Sequence, residues 1–148
     1  MSEAESDATV VVLDASVAVR WVVPEHGSDQ AADLLSRPLS WIAPRLMLTE
    51  AASAVRRKVA GGELRAELAV DAVNALVGAV ADGTIRLIDD EEFVPSALTL
   101  ALALGHRLPD CLYLAVAERQ GSALATADVR LGALARERGI QTYAVPSA

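Results

Sequence analysis

The 148-residue sequence predicts an α/β fold: a three-layer sandwich with a mostly parallel five-stranded sheet and helices on both faces. Three observations lead there. The length is that of one domain, and 53% hydrophobic residues supply a sizeable core. Val10-Val11-Val12-Leu13 is a continuous apolar run, as in a strand buried on both faces, not the alternation of a half-exposed one. Strand signals then alternate with helix signals across short connections.

The first strand, Val10 to Leu13, ends at Asp14. A short helix through Val17 to Trp21 must stop before Pro24, since proline disfavours helical geometry in the residue ahead of it. A second helix spans Ser28 to Leu35, with Ser28 as its N-cap and Asp29 in its first turn. Ser40 to Ala43 reads as a strand. Pro44 opens a long helix to about Ala60, Gly61-Gly62 ends it, and Glu63 to Ala81 forms the second arm of a helical hairpin. Thr84 to Ile88 is the third strand, followed by helices from Pro95 to Leu104 and from Asp110 to Gln120, closed by Gly105 and Gly121. Ala123 to Thr126 is the fourth strand, Val129 to Arg138 the last helix, and Gln141 to Ala144 the fifth strand. Right-handed crossovers would distribute these helices over both faces. With 3% aromatic residues, the core must be built from Ala, Val and Leu.

Composition narrows the function. Thirteen basic against 20 acidic residues give a net charge of −7, which excludes a protein that grips nucleic acid by basic surface alone. One cysteine, Cys111, permits no internal disulfide, and with His26 and His106 it makes too few soft ligands for structural zinc. A reducing cytoplasm is the expected compartment. Residues 1–8 are acidic and polar where a signal peptide needs a positive start, so they read as a disordered tail ahead of a single domain over 9–148. The longest uncharged stretch, Phe93 to His106, is shorter than the roughly 20 residues a membrane span needs, so no membrane association is expected.

The carboxylates carry the chemical signal. In open α/β sheets ligands bind beyond the carboxyl ends of the strands, where strand order reverses. Asp14 follows the first strand and Asp128 the fourth, so parallel strands place both on that edge; either could instead be a helix cap. Glu50 falls within the stripe Leu46, Met47, Ala51, Ala54, Val55 and Val59, with Arg45, Ser53, Arg56 and Arg57 assigned to the other side. An inward carboxylate needs a cation or a donor, and a buried ion pair with an arginine would also satisfy it. Asp110, after Pro109, opens a helix, where an acid also suits the dipole. All-oxygen clusters select hard cations such as magnesium or manganese. Four carboxylates roughly 6 Å apart at an effective dielectric near 20 repel by about 3 kcal/mol per pair, a strain that bound metal would reverse. Phosphate-binding glycine loops, GxSxG and HExxH are absent. His26 reads as a solvated loop residue, His106 as a polar residue after Gly105, and Cys111 as an inert packing residue.

These residues resemble a known family. Val10 to Val19 with Asp14 and Ser16 is similar to the opening of a PIN domain, and Trp21 to Ala31 to its continuation. Ala43-Pro44 through Leu48-Thr49-Glu50-Ala51 resembles the stretch carrying the family's glutamate; Leu108 to Ala117 and Ala125-Thr126-Ala127-Asp128 resemble its last two acidic motifs. Pro109 and Cys111 stand where other members often have an aromatic or apolar residue and an alanine. The size and the segment after Ser16 look most like VapC-type toxins of bacterial toxin–antitoxin modules. The resemblance implies a Mg2+- or Mn2+-dependent endoribonuclease, usually a homodimer, silenced by a cognate antitoxin. Asp14, Glu50, Asp110 and Asp128 would then be the catalytic and metal-binding acids, Ser16 and Thr126 supporting polar groups. Arg20, Arg45 and Arg107 are candidates for contact with the RNA substrate. Two other readings are a catalytically silent PIN-like module that binds RNA or protein, and an interaction module that uses the Ala-rich hairpin from Arg45 to Ala81.

Overall fold

The computed structural model describes residues 9–147, so the tail expected over residues 1–8 lies outside the described residues. Five strands, β1 (Thr9–Leu13), β2 (Leu39–Pro44), β3 (Ile85–Ile88), β4 (Ala123–Thr126) and β5 (Thr142–Ala144), form one sheet in the order β3-β2-β1-β4-β5, and every pairing is parallel. Among the described residues seven α-helices and a short 3-10 turn (Asp90–Glu92) connect them: α1 (Ala15–Val22), α2 (Ser28–Ser36), α3 (Leu46–Ala60), α4 (Ala66–Ala81), α5 (Val94–Leu104), α6 (Leu108–Gln120) and α7 (Val129–Glu137). The predicted α/β sandwich is therefore the observed one. Strand order reverses at β1, which pairs with β2 on one side and with β4 on the other.

Successive residues of a strand face opposite sides of the sheet. Val11, Val12 and Leu13 are all fully buried, so both faces of β1 are covered. Helices α1 to α4 pack on one another as one layer, and α5 packs on α6, which lies against β1, β2 and β4. Small residues allow the close approach: Ala18, Ala43, Ala51, Ala97, Ala125 and Ala135 have no exposed surface. Tyr113 and Phe93 are the largest fully buried side chains. Among the described residues no single helix is long and apolar enough to cross a membrane.

Helix starts differ most from expectation. Pro44 does not open a helix; it is the last residue of β2, paired with Ile88, and α3 begins at Leu46. The cap is remote. Asp90 accepts hydrogen bonds from the backbone N–H of Arg45 (2.6 Å) and of Leu46 (3.0 Å), satisfying donors that a local cap would otherwise serve. Gly27, not Ser28, flanks α2, at φ +89°, in the left-handed region that favours glycine. Ser28 Oγ instead braces the preceding turn, accepting from Glu25 N–H and donating to the Val23 carbonyl. The hairpin's second arm starts at Ala66, three residues later than expected, because Gly61 to Arg65 are spent on the turn. Helix α6 starts at Leu108, which places Asp110 in its first turn.

Candidate active site

The carboxyl edge of the sheet opens into a cleft of about 690 Å³ between α1, α3 and the start of α6. Asp14, Glu50, Asp110 and Asp128 all line it, together with Ser16, Thr49, Ser53, Arg20, Arg57, Lys58 and Arg107, and Glu25 and Glu63 lie at its wall beside Lys58. Four elements distant in sequence thus deliver one carboxylate each.

Asp14 leaves β1 still bound to the sheet, its N–H donating to the Ala125 carbonyl (3.1 Å). Its side chain makes no cap hydrogen bond to α1. Oδ2 accepts from Thr126 Oγ1 (2.6 Å) and from Ser16 Oγ (2.7 Å). The same hydroxyls tie the end of β1 to the end of β4: Ser16 Oγ accepts from Ala127 N–H and Thr126 Oγ1 from Asp128 N–H. Asp128 does cap a helix, Oδ1 accepting from Arg130 and Leu131 N–H at the start of α7. Glu50 Oε1 accepts from the hydroxyl of Tyr113 (2.7 Å), so the donor this inward acid needs is a tyrosine rather than an arginine. Asp110 Oδ2 lies 3.0 Å from His106 Nε2, on a side chain only 5% exposed.

A common pattern follows. Asp14, Glu50 and Asp128 each have one oxygen held by a hydrogen-bond donor, Asp110 Oδ2 stands against His106 Nε2, and among the described residues Asp14 Oδ1, Glu50 Oε2, Asp110 Oδ1 and Asp128 Oδ2 have no hydrogen-bond partner. Burial, opposed by the hydroxyls of Thr126 and Ser16 and reinforced by the charges of Glu50 and Asp110, pushes the Asp14 carboxyl up to about 6. Burial lifts Glu50 as well, against the Tyr113 hydrogen bond, and lifts Asp110, where the Asp128 charge adds to it. Among the described residues no three His, Cys, Asp or Glu side chains are gathered closely enough to form a ready-made metal-ligand group. The chemistry nonetheless fits a hard divalent cation: the four acids present oxygen donors alone, and burial, with a neighbouring carboxylate adding to it, raises the proton affinity of Asp14, Glu50 and Asp110.

The arginines sort differently from the sequence reading. Arg45 is outside the cleft, paired with Asp89 (3.0 Å). Arg20 lines it with committed donors: Nη1 to the Ser16 carbonyl, Nε to the His26 carbonyl, and Nη2 3.4 Å from Glu25. Arg107 lines it at the start of α6. Ser53 and Arg57, assigned by sequence to the face away from Glu50, share the cleft with it. The helical period explains this: at about 100° per residue, seven residues from Glu50 to Arg57 bring the side chain back to within about 20° of the same face, whereas five from Arg45 turn it about 140° away.

Sequence reading passed over Tyr113 and gave His106 no role beside Asp110. Tyr113 carried a signal, a hydroxyl within an otherwise apolar helix that must find a partner when buried. Replacing it with Phe keeps the packing and removes the donor. Tyr113→Phe is expected to lower stability by about 1–2 kcal/mol at pH 7, read by thermal or urea unfolding. His26 is exposed and Cys111 buried, where burial pushes the thiol up, as expected of a packing residue.

Fold and site together define an α/β domain with an acidic, oxygen-lined cleft at the reversal point of a parallel sheet. The chain belongs to the PIN domain family, which its sequence matches over residues 11–137. It is similar in structure to VapC20 of Mycobacterium tuberculosis, a sarcin-ricin loop cleaving toxin (TM-score 0.68, 16% identity, covering 84% of this chain and 94% of that one). It is also similar to PAE2754 from Pyrobaculum aerophilum (TM-score 0.68, 20% identity, 90% and 83%). A third is VapBC2 from Rickettsia felis, bound to a DNA fragment from their promoter (TM-score 0.60, 12% identity, 93% and 99%). At these identities the likeness is one of fold. No curated protein matches the sequence.

Proposed function

We propose that the protein is an endoribonuclease that hydrolyses RNA phosphodiester bonds with bound Mg2+ or Mn2+, and that it acts as the toxin of a type II toxin–antitoxin module. The observation that carries this reading is the convergence of Asp14, Glu50, Asp110 and Asp128 on one cleft, each with one oxygen uncommitted. Asp14 and Asp110 would be the principal ligands, with Glu50 and Asp128 completing the set directly or through water; the ion supplies a water of lowered pKa and charge against the phosphate. Ser16 and Thr126 fix Asp14 through Oδ2. Tyr113 fixes Glu50 through Oε1, and the uncommitted oxygen of Glu50 or of Asp128 would accept the proton of the attacking water.

Partners follow from the same reading. Leu68, Val70 and Val77 on α4 and Leu98 and Leu102 on α5 are about half exposed or more, apolar surface of the kind that a cognate antitoxin and a second copy in a homodimer would cover. A cytoplasmic location goes with an RNA substrate. Incubation of the purified protein with a pool of cellular RNA, followed by sequencing of new ends, tests the activity. Ends that appear with Mg2+ and vanish with chelator support it; a protein that binds RNA yet leaves no such ends is the catalytically silent module instead.

A further inference from the structure

Two of the arginines in the cleft are uncommitted. Among the described residues, the guanidinium groups of Arg57 on α3 and Arg107 at the start of α6 make neither a hydrogen bond nor an ion pair, and both side chains line the cleft. Both also act on Glu50, where their charges favour the ionised carboxylate. The remaining cations of the cleft wall are occupied. Arg20 is spent on Glu25 and two backbone carbonyls, and Lys58 lies 3.3 Å from Glu25 and 3.8 Å from Glu63.

Their placement suits a nucleic-acid strand. Glu50, Ser53, Ala54 and Arg57 follow one another along a single face of α3 at helical spacing, and all four line the cleft. Arg57 therefore stands about 10 Å along the helix axis from Glu50, beyond two small side chains that leave room for a sugar. Arg107 stands three residues ahead of Asp110, on the other wall. A strand entering the cleft meets six acids, Glu25 and Glu63 besides the four, in a protein of net charge −7, so its flanking phosphates need local positive charge. We infer that Arg57 and Arg107 hold the phosphates on either side of the scissile bond, while Arg20 and Arg45 do not touch RNA. This rests on the RNA reading above and assigns the residues by which the substrate backbone is gripped.

The salt dependence of binding is a readout that catalysis does not enter. Labelled oligouridine is titrated into the Asp14→Asn protein, with Mg2+ present, across a range of KCl concentrations. In the Asp14→Asn background, Arg57→Gln and Arg107→Gln are each expected to lower the magnitude of the log-log salt slope by about 0.7, the value for one single-strand phosphate. That slope corresponds to about fivefold weaker binding at 0.1 M salt for each variant. Arg45→Gln, made the same way, should leave slope and affinity as they were. Both arginine variants are on exposed side chains, so loss of folding does not intervene, and circular dichroism checks this. Unchanged slopes for Arg57→Gln and Arg107→Gln in a protein that binds oligouridine would overturn this assignment alone. No binding at any salt, together with no cleavage by the parent, would overturn the RNA reading and this assignment with it.

Discussion

Asp14→Asn is expected to abolish RNA cleavage and, in the absence of divalent metal, to make the protein more stable at pH 7. The two effects have one cause. Asp14 is 6% exposed and its carboxyl is pushed from 3.8 up to about 6, so ionising it in the folded protein costs about 3 kcal/mol at about 1.4 kcal/mol per pKa unit. The sign follows from proton counting. Between about pH 4 and 6 the folded state binds the proton that the unfolded state has lost, so the parent loses stability as pH rises through that window and bears the full cost above it. Asparagine carries no charge, and its carbonyl oxygen can accept from Thr126 and Ser16 as Oδ2 does now, with the amide facing the position of Oδ1. The melting temperature at pH 7 should rise by roughly 5–10 °C. At pH 4 the gain should largely disappear. A variant that melts lower than the parent at pH 7 without metal would show that Asp14 is not under strain there.

Gly27→Ala should produce the largest loss of stability of any single methyl added to the chain's turns. Gly27 adopts φ +89°, and a Cβ built there collides with the carbonyl oxygen of Pro146, a backbone atom that cannot swing aside. Left-handed geometry costs a non-glycine residue about 1–2 kcal/mol, and overpacking adds about 1–3 kcal/mol. A fall of about 2–4 kcal/mol is expected by urea unfolding. The loss should reach the cleft, because Arg20 donates to the His26 carbonyl next door and Glu25 bridges Arg20 to Lys58 on α3. Melting unchanged within a degree would mean that the turn and the carboxyl-terminal segment part freely.

Local signals made much of the fold legible, and interactions between distant residues hid the rest. The continuous run Val10 to Leu13 announced a strand buried on both faces, and the residues after each strand announced the carboxyl edge. Asp14 and Asp128 could be placed from connectivity alone, while Glu50 was conspicuous as a charge inside an apolar stripe. Pro44 misled because the usual reading of proline assumes a local cap, whereas α3 is capped by Asp90, 45 residues beyond Arg45. Arg45 is near the cleft residues in sequence, but the helical turn between it and Glu50 sends it to Asp89 instead. The partner of Glu50 could not be read from spacing, since Tyr113 is 63 residues away and meets it only when α3 and α6 come together at the cleft.

The claim on which the account stands is that the strain among these carboxylates exists for a cation to relieve. The most direct measurement is the melting temperature of the parent and of Asp14→Asn at pH 7, each with and without Mn2+. Without metal, Asp14→Asn should melt higher. At Mn2+ one hundred times its dissociation constant the parent should gain about 2.7 kcal/mol and close most of the gap, while the variant, lacking a principal ligand, should gain little. Equal shifts in both proteins, or none in either, would contradict the account.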